Sequence, residues 1–290
     1  MRFLPHLPKY LALLMLGTSQ AHAAELASFR VFYTFLPSRI DQASGTVPID
    51  GALAYEAHGS KCLGYTVDSR MGNHYADEHQ GGKLVDLQAS TFEAADGADF
   101  EVNQTEYVNK EAGEPERISV LRDPSANIVT GEIKGAKSSR FTLRPEIVFP
   151  TAHEIKLLAA AAKGEIRDTT YVYDGSDGEK FFRAFTFIGK KREAGTYAPD
   201  MNNPQTKALQ NLASWPFSIG YYPGEDPKAD APVFQANFNM YENGITTELV
   251  FDYGTYAMKG TLQKLELLPT DPCDGRSLAP QTKEPEIVPQ

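Results

Sequence analysis

The sequence has few cysteines and no long apolar run, and each shortage excludes something. It holds 2 cysteines in 290 residues and no Cys-x-x-Cys pair, so dithiol redox motifs are out. Two cysteines without histidines at ligand spacing do not complete a structural zinc site. No later segment approaches the ~20 apolar residues of a spanning helix. A Gly-x-Ser-x-Gly elbow, a Walker loop, a zinc-protease helix and a dinucleotide fingerprint are all missing. So is any basic cluster: 28 Lys plus Arg face 38 acids, a net charge of -10. Such a chain repels phosphate backbones and anionic membrane surfaces, which argues against nucleic-acid binding.

What is present begins with a leader. Arg2 and Lys9 precede a short apolar run, Leu11 to Leu16, and Ala21-His22-Ala23 is a small-x-small cleavage site. That pattern predicts a secretory signal peptide over residues 1–23. Removing it takes Lys plus Arg from 28 to 26 and the net charge from -10 to -12. No cysteine lies near the cleavage site, which argues against a lipid anchor. An exported chain with two cysteines predicts a disulfide between Cys62 and Cys273. It would close a loop of about 210 residues, worth roughly 5 kcal/mol at most in the chain-entropy model. Because it ties an early strand to the segment leaving the last one, the sequence reading has it locking the two ends of one sheet.

Short segments rich in β-branched and aromatic residues recur along the chain. Strands are predicted at 29–36, 51–57, 63–70, 83–93, 99–109, 116–121, 128–134 and 139–143. The second half adds 169–174, 180–189, 215–222, 233–242, 245–253 and 256–267. Asn243-Gly244 reads as a two-residue hairpin turn with positive φ at both positions. Asp174-Gly175-Ser176-Asp177-Gly178 reads as a second turn, and Gly254 as the start of a third. Consecutive hairpins mean an antiparallel meander. One helix is predicted at 151–163, with Thr151 and Glu154 spaced as a capping box. Its apolar stripe is Ile155, Leu158, Ala159 and Ala162, and Gly164 ends it. Residues 190–213 read as a surface loop with a helical turn near 206–212. Residues 277–290 read as a disordered tail, leaving one domain at 24–276.

Candidate chemistry is sparse. His74 and His79 stand five apart in a polar stretch with Asp77 and Glu78, for which a solvated loop explains more than a metal site does. His153-Glu154 has no second histidine at zinc-protease spacing. Asp174, Asp177 and Glu179 could hold calcium, but they miss the EF-hand spacing and a tight turn accounts for them. The many aromatic residues are mostly packing, with a groove for an apolar ligand as the alternative. No catalytic residue, metal ligand or cofactor site is assigned.

Five segments together resemble the EipB family of alphaproteobacterial envelope-integrity proteins. They are Gly59-Ser60-Lys61-Cys62-Leu63-Gly64-Tyr65-Thr66-Val67, Phe149-Pro150-Thr151-Ala152-His153, Tyr173 to Gly178, Trp215-Pro216-Phe217, and the run from Tyr241 through Asp252-Tyr253-Gly254 to Leu267. The resemblance covers roughly residues 28–273 and both cysteines. It implies a periplasmic monomer: mainly β, one long antiparallel sheet rolled into a spiral or open barrel, a disulfide, and the helix packed on the sheet. It also implies a non-enzymatic role in envelope integrity, through a partner protein or an apolar ligand. Two alternatives stand beside that: a lipid or lipoprotein carrier, by analogy of fold, and a hydrolase of envelope polymers.

Overall fold

The computed structural model describes residues 26–41, 49–75, 82–196, 204–271 and 273. The predicted leader and tail, and His79, lie outside them. The strands are β1 (Phe29–Ile40), β2 (Ile49–Ser60), β3 (Gly64–Tyr75), β4 (Lys83–Glu93), β5 (Asp99–Val108), β6 (Glu111–Ala112), β7 (Glu116–Asp123), β8 (Ile128–Lys134) and β9 (Ser139–Leu143). After helix α1 (Pro150–Ala162) come β10 (Arg167–Val172), β11 (Phe182–Ile188), β12 (Ser214–Pro223), β13 (Phe234–Tyr241), β14 (Thr246–Asp252) and β15 (Tyr256–Leu267).

All 15 strands belong to one antiparallel sheet. Its order is β10 to β15, then β1 to β5, β7, β8 and β9, with β6 hung on β5. The meander is therefore broken once, where β15 pairs β1 from Phe29↔Leu267 to Ile40↔Tyr256. The chain's first and last strands meet in the middle of the sheet, and its edges, β9 and β10, are sequence neighbours joined through α1.

The strip curls without closing. Edge strand β10 makes one parallel bridge, to Val148 in the segment between β9 and α1: Val148 N–H donates to Tyr171 O (2.9 Å) and Tyr173 N–H to Val148 O (3.1 Å). Phe100, Val102, Ile118, Val120, Val129, Phe141, Phe149 and Tyr173 form one core where β5–β9 fold over the turn after β10. A second core lies on β1, β2, β14 and β15, and a third joins α1 to β11, β12 and β13. Alternation drives this curl, since Phe29, Val31, Tyr33 and Phe35 all face one side and are buried. Phenylalanine rings fill the gaps left by cross-strand glycines, Phe35 over Gly260 and Phe141 over Gly131.

Four expectations need correction. The disulfide does not lock the sheet's two ends. Cys62, in the β2–β3 turn, meets Cys273 just past β15 with Cα atoms 5.6 Å apart, so it clasps the central strands β15, β1, β2 and β3. The Asn243 turn has three residues rather than two: Gly244 N–H donates to Tyr241 O and Tyr241 N–H to Ile245 O. Only Gly244 has positive φ there (88°), which makes a type I turn with a glycine bulge. The helix buries His153, Leu157, Leu158, Ala160 and Ala161, while Ala162 is exposed, so the predicted stripe is rotated. The 190–213 segment is not simply solvated: its 3₁₀ turn falls at Pro204–Leu209, and Leu209 is buried against the second core.

Candidate functional site

The capping box does not form. Phe149 is the N-cap and offers no side-chain acceptor, and Pro150 stands at the first helical position. The orphan N–H groups are met from a distant strand. Glu93, the last residue of β4, accepts from Thr151 N–H at 2.8 Å through Oε2 and from Ala152 N–H at 2.9 Å through Oε1. A carboxylate there also complements the positive end of the helix dipole. Glu93 is only 4 % exposed. Burial pushes its pKa up, and the bonds from Ala152 and Thr151 pull it part of the way back.

That arrangement leaves Glu154 without the partner expected of it. Its position on the helix falls within the buried face, between Leu157/Leu158 and Ala161 in angle. Burial, reinforced by the charge of Glu93, pushes Glu154 up to about 7. With Thr151 it lines a small hollow completed by Leu26, Phe29, Tyr55, Ala57, Tyr65, Val67 and Gly244, with room for about one water molecule. The Phe29 and Tyr55 rings stack with centroids 5.8 Å apart. Tyr33 O–H donates to Thr246 O at 2.8 Å. Burial raises the Tyr33 phenol to about 12, and it raises Tyr55 and Tyr221 as well; Glu154 adds to the rise in all three.

Beyond that hollow, the neighbouring apolar side chains are less completely buried. Leu53, Tyr55, Val67, Met71, Tyr75, Phe251 and Tyr256 pack on the second core yet remain only partly buried. Phe234 stacks on Tyr221 and meets Phe251 and Tyr253 at tilted angles, and Tyr253 stacks on Tyr256. Tyr55, Tyr221 and Glu154 have strong desolvation and still keep accessible surface.

The helix is tied to the sheet edge by Lys156, which contacts Asp168 at 2.9 Å and the Thr170 hydroxyl. His153 is 4 % exposed and its Nε2 has no partner; desolvation lowers it to about 4, so it is neutral.

The other residues singled out from sequence scatter. His74 is not in a loop but in β3, its Nδ1 3.3 Å from Asp50 on β2. Asp174 closes its turn by accepting from Ser176 N–H and Oγ–H, and Asp177 pairs with Lys180 at 2.9 Å. No group of three or more potential metal ligands exists among the described residues. No helix among them is long and apolar enough to cross a membrane. Sequence reasoning missed Glu93 and misassigned Glu154. Both carried a signal: Glu93 continues the in-phase series Val85, Leu87, Ala89, Thr91, and Glu154 shares spacing with Leu157, Leu158 and Ala161.

The profile of a family described as EipB-like matches residues 20–269. The cell envelope integrity protein EipB of Brucella abortus (strain 2308) is 31% identical over 257 residues, which is 88% of this chain and 89% of that protein. A crystal structure of a β-barrel-like protein of a domain of unknown function, also from Brucella abortus, superposes with a TM-score of 0.78. It is 28% identical and covers 85% of this chain and 100% of that one.

Proposed function

The chain belongs to the EipB-like family, and from that premise we propose that it is an exported protein that supports cell-envelope integrity by holding an apolar ligand inside its rolled sheet. The supporting observation is the inner face, whose inward aromatic and aliphatic side chains stay partly accessible. Ligand sites are apolar concavities with a few placed polar groups, and Glu154 and the tyrosines are such groups. The leader over residues 1–23 would deliver one folded unit, 24–276, to the periplasm, where a disulfide is retained. The action is binding, with no chemical step assigned to any residue.

The test is native mass spectrometry and solvent extraction of protein purified from envelope fractions. An extractable apolar molecule is expected, along with its loss in Tyr55→Ala and Met71→Glu. Those variants should also fail to restore detergent resistance in a strain lacking the gene. Protein that is ligand-free under native conditions, with both variants fully active, would overturn the reading. Hydrolysis of envelope polymers by the purified protein would point to catalysis instead.

A further inference from the structure

We infer that the hollow beside α1 is a recognition site for the primary ammonium head of an amphiphile, with the Glu154 carboxylate as counter-charge and the Phe29, Tyr55 and Tyr65 rings as walls. This deepens the ligand-binding reading and rests on it.

Four observations converge. First, the Glu154 carboxylate has neither a hydrogen bond nor an ion pair among the described residues, although its helix position falls among Leu157, Leu158 and Ala161, which are buried. Its carboxylate is partly accessible and so is open to a ligand's counter-charge. Its natural local partner, the N-terminus of its own helix, is already taken by Glu93.

Second, the charged group acting on Glu154 is another carboxylate, Glu93 of β4. The titratable groups facing it from the packed strands are tyrosines: Tyr33 of β1, Tyr55 of β2, Tyr65 of β3 and Tyr221 of β12. A phosphate or carboxylate head would be repelled by Glu154 and by the nearby Glu93 charge. A cation would meet the Glu154 carboxylate, with the Glu93 charge nearby, and aromatic faces, which attract it through their quadrupoles.

Third, the space admits about one water molecule, which fits a –NH₃⁺ group and not a trimethylammonium. Fourth, two residues of the hollow, Tyr55 and Val67, also belong to the partly buried apolar wall that continues through Leu53 and Met71. A head in the hollow would leave its chain along that wall.

Calorimetry on the oxidised full-length mature protein tests this at pH ~7.5, below micelle concentrations. The probes are n-decylammonium, n-decanol, n-decyltrimethylammonium and n-decyl sulfate. The expected result is decylammonium binding at least ~10-fold tighter than the other three. Glu154→Gln should bring decylammonium to the level of decanol and leave decanol unchanged. Equal binding of decylammonium and decanol to the wild type overturns the head-group assignment and leaves the apolar-ligand reading standing; that comparison needs no variant. Undiminished decylammonium binding by folded Glu154→Gln overturns it too. Failure of all four probes to bind overturns both readings.

Discussion

Glu93, buried, and Glu154, partly buried, show how differently two desolvated carboxylates can serve one fold. Glu93 joins sheet to helix through two charge-assisted bonds, each worth about 1.5–3 kcal/mol net. Glu93→Ala is therefore expected to lower the unfolding free energy by about 3 kcal/mol in urea titrations, with Glu93→Gln costing less. Glu154 works against stability. Its pKa in the folded protein, about 7, lies above its ordinary 4.5. Between those values the folded state holds a proton that the unfolded chain has lost. Stability then falls as pH rises from about 4.5 to about 7 and levels off above. Melting temperature followed against pH should show this slope in the wild type and a shallower one in Glu154→Gln, where Glu93, also raised, still contributes; the variant should be the more stable protein at pH ~8. A steeper slope in the variant would contradict the assignment.

Helix α1 ends by a defined device. Lys163 is the C-cap, Gly164 takes φ 78°, Gly164 N–H donates to Ala161 O and Glu165 N–H to Ala160 O. This is a Schellman motif, in which a Cβ is strained. Gly164→Ala has open space around it, so its cost is conformational alone: about 1 kcal/mol, read as a small drop in urea midpoint with an unchanged m-value. The element scale is also where the sequence was most legible. Lys83–Glu93, Ile128–Lys134, Ser139–Leu143 and Tyr256–Leu267 have the bounds their alternation predicts. The miss, Glu111–Ala112, is two residues long and held by a turn with positive φ at Asn109 and Lys110, too short for any period to show. The rotated helix stripe has a physical cause: five alanines make several faces look alike, and His153 and Glu154 in the buried face disguise it. Glu93 lies 58 residues from the N–H it accepts, and local pattern cannot register a bond across that distance.

At the scale of the whole molecule, strand patterns gave the meander but not its break. Nothing local in Phe29–Ile40 or Tyr256–Leu267 announces that they pair with each other, and the EipB-like resemblance supplied the roll rather than the order. The disulfide belongs to this scale. Cys62→Ser or Cys273→Ser should remove up to about 5 kcal/mol of stability, measured by thermal melting under oxidising conditions. Hydrogen exchange should then speed up where Phe29, Ala57 and Leu267 align across β1, β2 and β15, and hold steady at edges β9 and β10. Faster exchange confined to the edges would contradict the central clasp. The same pairing governs how the chain is finished. Synthesis delivers β1 first, and its partner on one side emerges more than 200 residues later. Until residue 267 arrives, β1 is an edge strand with apolar alternate residues, and edges of that kind recruit other chains. Assembly is thus a late, non-local closure, slow by contact order, and a nascent molecule needs a holding chaperone most in the interval before its final strand appears.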